Sequence, residues 1–156
     1  MSAKQIKDYL DERHIEYAAI QHRRAYTAQE IAAAAHVPGK ELAKTVVVKI
    51  DGELVLAVLP ASSRIDLDLF KAILGAESAE LADEKEFSGK FPGCELGAMP
   101  PFGNLYGMRT FVADCLTEDD EIAFNAGSHT ELLRLAYEDF NELVHPLMLD
   151  FTVGDH

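Results

Sequence analysis

Thr45-Val46-Val47-Val48-Lys49-Ile50-Asp51-Gly52-Glu53-Leu54-Val55-Leu56-Ala57-Val58-Leu59 holds two β-rich runs on either side of an Asp-Gly pair. β-Branched and other apolar side chains dominate both runs, and they suit a pleated, packed surface. The Asp-Gly pair predicts a type I′ hairpin, because both central residues of that turn need positive φ. Neither run alternates cleanly between apolar and polar residues. Their near-continuous apolar character predicts strands covered on both faces, or a closed sheet.

Towards the N-terminus, Thr27-Ala28-Gln29-Glu30 reads as a capping box, its threonine and glutamate satisfying orphan N–H groups. It opens an alanine-rich helix to about His36, stopped at Val37-Pro38-Gly39. Before it lie an extended run, Glu16 to Gln21, and a helix over about Lys4 to Arg13, with Ile6, Tyr9, Leu10 and Arg13 at helical spacing. Towards the C-terminus, Asp66 to Leu74 predicts a helix closed by Gly75. A short helix starting at Asp83-Glu84-Lys85-Glu86 ends near Ser88-Gly89, and strands are expected around Arg109 to Asp114 and Glu121 to Asn125. Glu131 to Ala136 fits a strand or the start of a helix, and Tyr137 to Val144 fits a helix with Pro146 beyond. Helices and strands mix without strict βαβ alternation, which predicts an α+β fold with a mixed sheet. No repeat or linker divides the sequence, so residues 1–156 read as one domain.

Composition narrows the functional classes. A chain of 156 residues can bury a core without staples, and 48% hydrophobic with 26% charged residues is ordinary for a soluble globular protein. No run approaches the roughly 18 apolar residues of a membrane span. The opening Met1-Ser2-Ala3-Lys4-Gln5-Ile6-Lys7-Asp8 has no apolar signal core, so a cytoplasmic protein with no membrane partner is expected. Cys94 and Cys115 make no metal-ligand spacing and read as buried structural thiols. His14, His22, His36, His129, His145 and His156 are scattered, so no metal or other cofactor is expected. With 27 acidic and 14 basic residues the net charge is −13. That argues against DNA and broad nucleic-acid binding, which depend on neutralising many phosphates. It suits capture of one RNA end better than a grip along a duplex.

Templates such as G-x-S-x-G, the phosphate loop, G-x-G-x-x-G and H-E-x-x-H are missing from the sequence. Three features stand out instead. Lys44 sits at the mouth of the valine-rich strand, where its ammonium can enter a cleft or simply snorkel to solvent. Gly97-Ala98-Met99-Pro100-Pro101-Phe102-Gly103 pairs glycines for unusual backbone angles with prolines for rigidity. Such a loop can present N–H groups to a developing oxyanion, or serve as a rigid structural turn. Ala126-Gly127-Ser128-His129 follows a strand, with small residues that permit close approach and a histidine able to hydrogen-bond a substrate. Ser128 and His129 are adjacent, which is poor geometry for a hydrolytic dyad, and the serine can equally cap the next element.

In this order the three features, together with Leu59-Pro60-Ala61, resemble the YbaK/ProX family, which also includes the editing domain inserted in bacterial prolyl-tRNA synthetases. The resemblance runs from about His22 to His145. It implies a mixed, barrel-like sheet wrapped by helices, and hydrolysis of mischarged aminoacyl-tRNA in trans. It implies catalytic roles for Lys44, for Gly97 of a G-x-x-x-P loop and for His129, with Ala98, Met99, Pro100, Pro101, Gly127 and Ser128 binding substrate. Lys44 would hold the terminal adenosine or its phosphate, backbone N–H groups near Gly97 the ester carbonyl, and the tRNA 2′-hydroxyl would help to activate water. Alanine on tRNA(Pro) is the first expected substrate, with cysteine, serine and threonine esters open. Because the surface is acidic, a synthetase or an elongation factor is an expected partner in delivering the tRNA. The rival reading is a non-catalytic module that binds a tRNA end, a nucleotide or a synthetase. Retention of lysine, loop and histidine together favours the enzyme.

Overall fold

The computed structural model describes residues 2–154, so His156 lies outside the described residues. The hairpin forms as the sequence predicts: β2 (Leu42–Ile50) and β3 (Glu53–Pro60) pair antiparallel with Ile50 opposite Glu53. Asp51 (φ 48°) and Gly52 (φ 86°) both take positive φ, as a type I′ turn requires. Asp51 has a further task, because its Oδ1 accepts the backbone N–H groups of Glu77 and Ser78, both at 2.9 Å. That clamp leads the chain into β5 (Ala79–Leu81), which pairs antiparallel with the far end of β2.

Val55 to Leu59 are fully buried, so β3 has no solvent face beyond its first two residues. Val55, Ala57 and Leu59 pack in a cluster with Phe70, Phe111 and Phe151. Val58 packs in another cluster with Phe102, Phe124 and Phe140, and Leu56 in a third with Val47, Phe87 and Phe91. The apolar run thus reflects double coverage.

The remaining strands extend this hairpin to both sides. On the β2 side lie β7 (Glu121–Asn125), β8 (Glu131–Ala136) and, at the edge, β1 (Ala18–Gln21). On the β3 side lie β6 (Thr110–Ala113) and then β9 (Leu147–Leu149). Parallel pairs (β2 with β7, β3 with β6, β6 with β9) sit among antiparallel ones, which makes the sheet mixed. A separate pair joins β4 (Ser63–Ile65) to β10 (Thr152–Gly154). Glu131 to Ala136 is a strand, held between β1 and β7 with Leu132, Leu133 and Leu135 buried. A run buried on two faces carries no helix-or-strand periodicity, which is why the sequence left it open. The three-residue strands β4, β5, β9 and β10 were missed because so short a run has no pattern to read.

Helices α1 (Ala3–Glu12), α2 (Ala28–Ala35), α3 (Leu67–Leu74), α4 (Glu84–Phe87) and α5 (Tyr137–Val144) fall where expected. The predicted box opens α2: Glu30 N–H donates to Thr27 Oγ1 at 3.1 Å, and Thr27 N–H to Glu30 Oε1 at 3.4 Å. Asp66 caps the start of α3, and Gly75 (φ 64°) ends it in the left-handed region. Neither cysteine is in a disulfide, and both are half-buried rather than fully buried, a correction to the sequence expectation.

The glycine- and proline-rich loop is part of the core. Ala98 to Gly103 are buried, and the Phe102 ring packs edge-on against Tyr9, Phe124 and Phe140 with centroids 6.0, 5.3 and 5.7 Å away. Gly103 has no room for a side chain, since a Cβ there would collide with Thr110 Oγ1 and lie 2.6 Å from the Met108 carbonyl oxygen. Phe102→Ala is therefore expected to lower the unfolding free energy by about 3–5 kcal/mol in urea titrations. A loss below about 1 kcal/mol would show that this ring does not anchor the loop.

Candidate active site

Two of the three sequence features meet. The loop before Ala98 and the turn after β7 are stitched by backbone bonds: Glu95 N–H donates to Gly127 O at 2.8 Å, and Gly127 N–H donates to Ala98 O at 3.0 Å. Ala98 N–H closes the loop on itself through Glu95 O at 3.1 Å. Gly97 is exposed at the bend with φ 87°, and a Cβ there would stand 3.4 Å from His129 Cε1. A side chain at this position would be strained by the positive φ, and its Cβ would stand in van der Waals contact with the imidazole. Gly127 also takes positive φ, at 95°. Pro100 and Pro101 are buried behind the bend, where fixed φ stiffens its support.

His129 is only 5% exposed. Its Nε2 lies 2.9 Å from the Leu96 carbonyl oxygen, which can only accept. The proton of the neutral ring therefore sits on Nε2, leaving a lone pair on Nδ1. That Nδ1 is buried without a hydrogen-bond partner. The backbone N–H of His129 donates to Glu95 Oε2 at 2.7 Å, while Glu95 Oε1 receives Arg24 Nη1 at 2.7 Å. Ala25 N–H reaches His129 O at 3.3 Å, and Tyr26, 66% exposed, sets its ring 5.0 Å from the imidazole. Ser128 Oγ lies 3.3 Å from Thr130 Oγ1 and accepts from Thr130 N–H at 3.4 Å. It has turned to its own hairpin, and the Ser-His pair forms no dyad.

Glu95, Arg24 and Tyr26 carried no sequence signal as site residues. Glu95 stands two positions before Gly97, and Tyr26 directly precedes the Thr27 cap, so both could be found only by knowing which loops touch.

Lys44 approaches from β2. Leu42 pairs with Ala123 and packs with it in one cluster; Ala43 pairs with Phe124 and packs with it in another. Continuing that parallel register sets Lys44 level with Asn125, and strand alternation puts both on the Leu42–Ala123 face. Asn125 opens the turn that carries His129, and its Oδ1 is buried without a partner. The Lys44 ammonium is half-buried, with no carboxylate pairing it among the described residues. Burial first, then the positive charge of Arg64, pull its pKa below the ordinary lysine value. No hydrogen bond or ion pair joins Lys44 to Gly97 or His129 among the described residues. A concavity of about 570 Å³, lined by Lys49, Glu86, Lys90 and Tyr106 among others, is formed by none of these residues.

Residues 22–143 match the aminoacyl-tRNA editing domain family. A Ser/Thr-tRNA deacylase of Escherichia coli (strain K12), the multifunctional ProXp-y, is 35% identical over 115 residues, covering 70% of this chain and 68% of that one. A proline–tRNA ligase of Nitratidesulfovibrio vulgaris (strain Hildenborough) is 32% identical over 96 residues, covering 62% of this chain and 16% of the ligase. In three dimensions, a candidate trans-editing enzyme for prolyl-tRNA synthetase superposes with a TM-score of 0.81 at 20% identity, over 97% of each chain. The chain belongs to the aminoacyl-tRNA editing domain family.

The Arg24–Glu95–His129 link has a pH signature. The hydrogen bond from Arg24, then the one from His129 N–H, hold the Glu95 carboxyl below its ordinary 4.5. A depressed carboxylate contributes stability above its unfolded pKa and loses it as pH falls through the folded value. Urea unfolding from neutral pH down through 4.5 should therefore find wild type more stable than Glu95→Gln at the top, with the gap closing on acidification. Parallel curves would contradict the link.

Proposed function

We propose that this member of the aminoacyl-tRNA editing family removes amino acids from mischarged tRNA in trans, with seryl and threonyl esters preferred over alanyl ones. One observation carries the preference: the buried His129 Nδ1 is an acceptor without a donor. An unsatisfied buried acceptor costs about 1–3 kcal/mol, and a substrate hydroxyl would satisfy it where an alanyl methyl would not. The E. coli relative is named a Ser/Thr-tRNA deacylase, which supports seryl and threonyl esters as substrates.

In this reading water adds to the ester carbonyl carbon, the bond to the ribose oxygen breaks, and the amino acid leaves as a carboxylate. The tRNA regains its hydroxyl. Gly97 offers an N–H to the carbonyl oxygen at a bend held rigid by the Gly127 and Ala98 bonds. Lys44, a point charge with no carboxylate to neutralise it among the described residues, holds the terminal adenosine or its phosphate. His129 faces the aminoacyl group. The whole chain acts as one editing domain in the cytoplasm. A net charge of −13 restricts it to the end of its tRNA, and a synthetase or elongation factor would deliver that substrate.

The test is ester loss from a panel of Ser-, Thr-, Ala- and Cys-charged tRNAs. Seryl and threonyl esters should be lost about tenfold faster than alanyl at equal concentration, the step of one hydrogen bond. Faster loss of the alanyl ester would overturn the preference, and tRNA binding without any hydrolysis would favour a non-catalytic module. Lys44→Ala should reduce deacylation about 100-fold or more with an unchanged circular dichroism spectrum. Full activity in that variant would remove Lys44 from the site.

A further inference from the structure

The Gly97 N–H already has a partner in the free protein. It donates to the thioether sulfur of Met99, at 3.2 Å. The peptides around it are committed elsewhere, Glu95 N–H to Gly127 O and Ala98 N–H to Glu95 O, so Gly97 alone ends on sulfur. We infer that Met99 is a displaceable cap: its sulfur stands where the substrate's carbonyl oxygen will sit, and the ester exchanges N–H···S for N–H···O on binding. The inference rests on the editing reading and assigns Met99 a positioning role within that site.

Three properties make the exchange favourable. A thioether is a weak acceptor, so a carbonyl oxygen improves the bond, and an oxyanion improves it further. Methionine is unbranched, with several rotatable bonds, and can leave without moving the backbone. Its side chain packs with Val47, Leu56, Phe87 and Phe91, apolar neighbours that ask no hydrogen bond of the sulfur once it leaves the N–H. Meanwhile the stitched loop, through the Glu95 and Ala98 N–H bonds on either side, resists turning the Gly97 N–H away. The cap also keeps water off the donor until substrate arrives, which preserves the bend in its productive form.

Two substitutions at Met99 should move KM in opposite directions. Met99→Leu keeps the bulk and removes the competing acceptor, so KM should fall several-fold. Met99→Gln keeps the length and supplies a stronger acceptor, so KM should rise by about tenfold, the equivalent of one neutral hydrogen bond. In each variant kcat should move less than KM. Steady-state deacylation of Ser-charged tRNA by the three proteins reads both constants, and a thermal melt of each reads folding. A merely structural role would lower stability in both variants and shift KM the same way in each. Equal KM values, or a shared direction, overturn the cap while wild-type hydrolysis still carries the editing reading. No hydrolysis of any ester by wild type would overturn both.

Discussion

From Val55 onward strand β3 has no face in water, and the rest of the molecule follows from that constraint. From Val55 to Leu59 every side chain is buried, so apolar layers must cover the sheet on both sides. Phe70, Phe111 and Phe151 supply one layer, and Phe102, Phe124 and Phe140 the other. Phe102 belongs to the loop that bends at Gly97. The same burial that satisfies β3 therefore holds the loop in place, and stability and site geometry share one source.

The site itself is polar and local. Its two halves, 95–98 and 127–129, are about thirty residues apart in sequence and joined by main-chain hydrogen bonds that owe little to side-chain identity. Glu95 adds a side-chain brace that reaches Arg24 in one direction and the His129 backbone in the other. What the fold leaves unsatisfied is as informative: His129 Nδ1 and Asn125 Oδ1 are buried acceptors without donors, at either end of one turn. Buried polar groups are usually paired, so each unpaired one calls for an explanation, and a ligand that completes it is one. A half-buried lysine without a carboxylate, on the Asn125 face, adds the complementary charge.

Legibility in the sequence followed physical range. The hairpin, the capping box at Thr27 and the Gly75 stop are local events between residues a few positions apart, and each was visible. Glu131 to Ala136 stayed ambiguous because burial on two faces erases periodicity, and β9 is three residues long and forms only because β6 is there to pair with it. Lys44, Gly97 and His129 could be singled out by resemblance. The approach of the Gly97 backbone to the His129 ring, the Met99 sulfur on the Gly97 N–H, and the Glu95 brace depend on which loops meet in space. Residue types alone do not encode that meeting.

Imidazole nitrogen shifts of His129 test the account most directly. In the free protein at neutral pH, ¹⁵N NMR should show a protonated Nε2 and an unprotonated Nδ1. A non-hydrolysable adenosine carrying a 3′-linked seryl amide should move the Nδ1 resonance towards the hydrogen-bonded range, while the alanyl counterpart leaves it in place. A ring with its proton on Nδ1, or an Nδ1 resonance that responds equally to both compounds, would contradict the assignment of His129 as the acceptor that selects a hydroxyl.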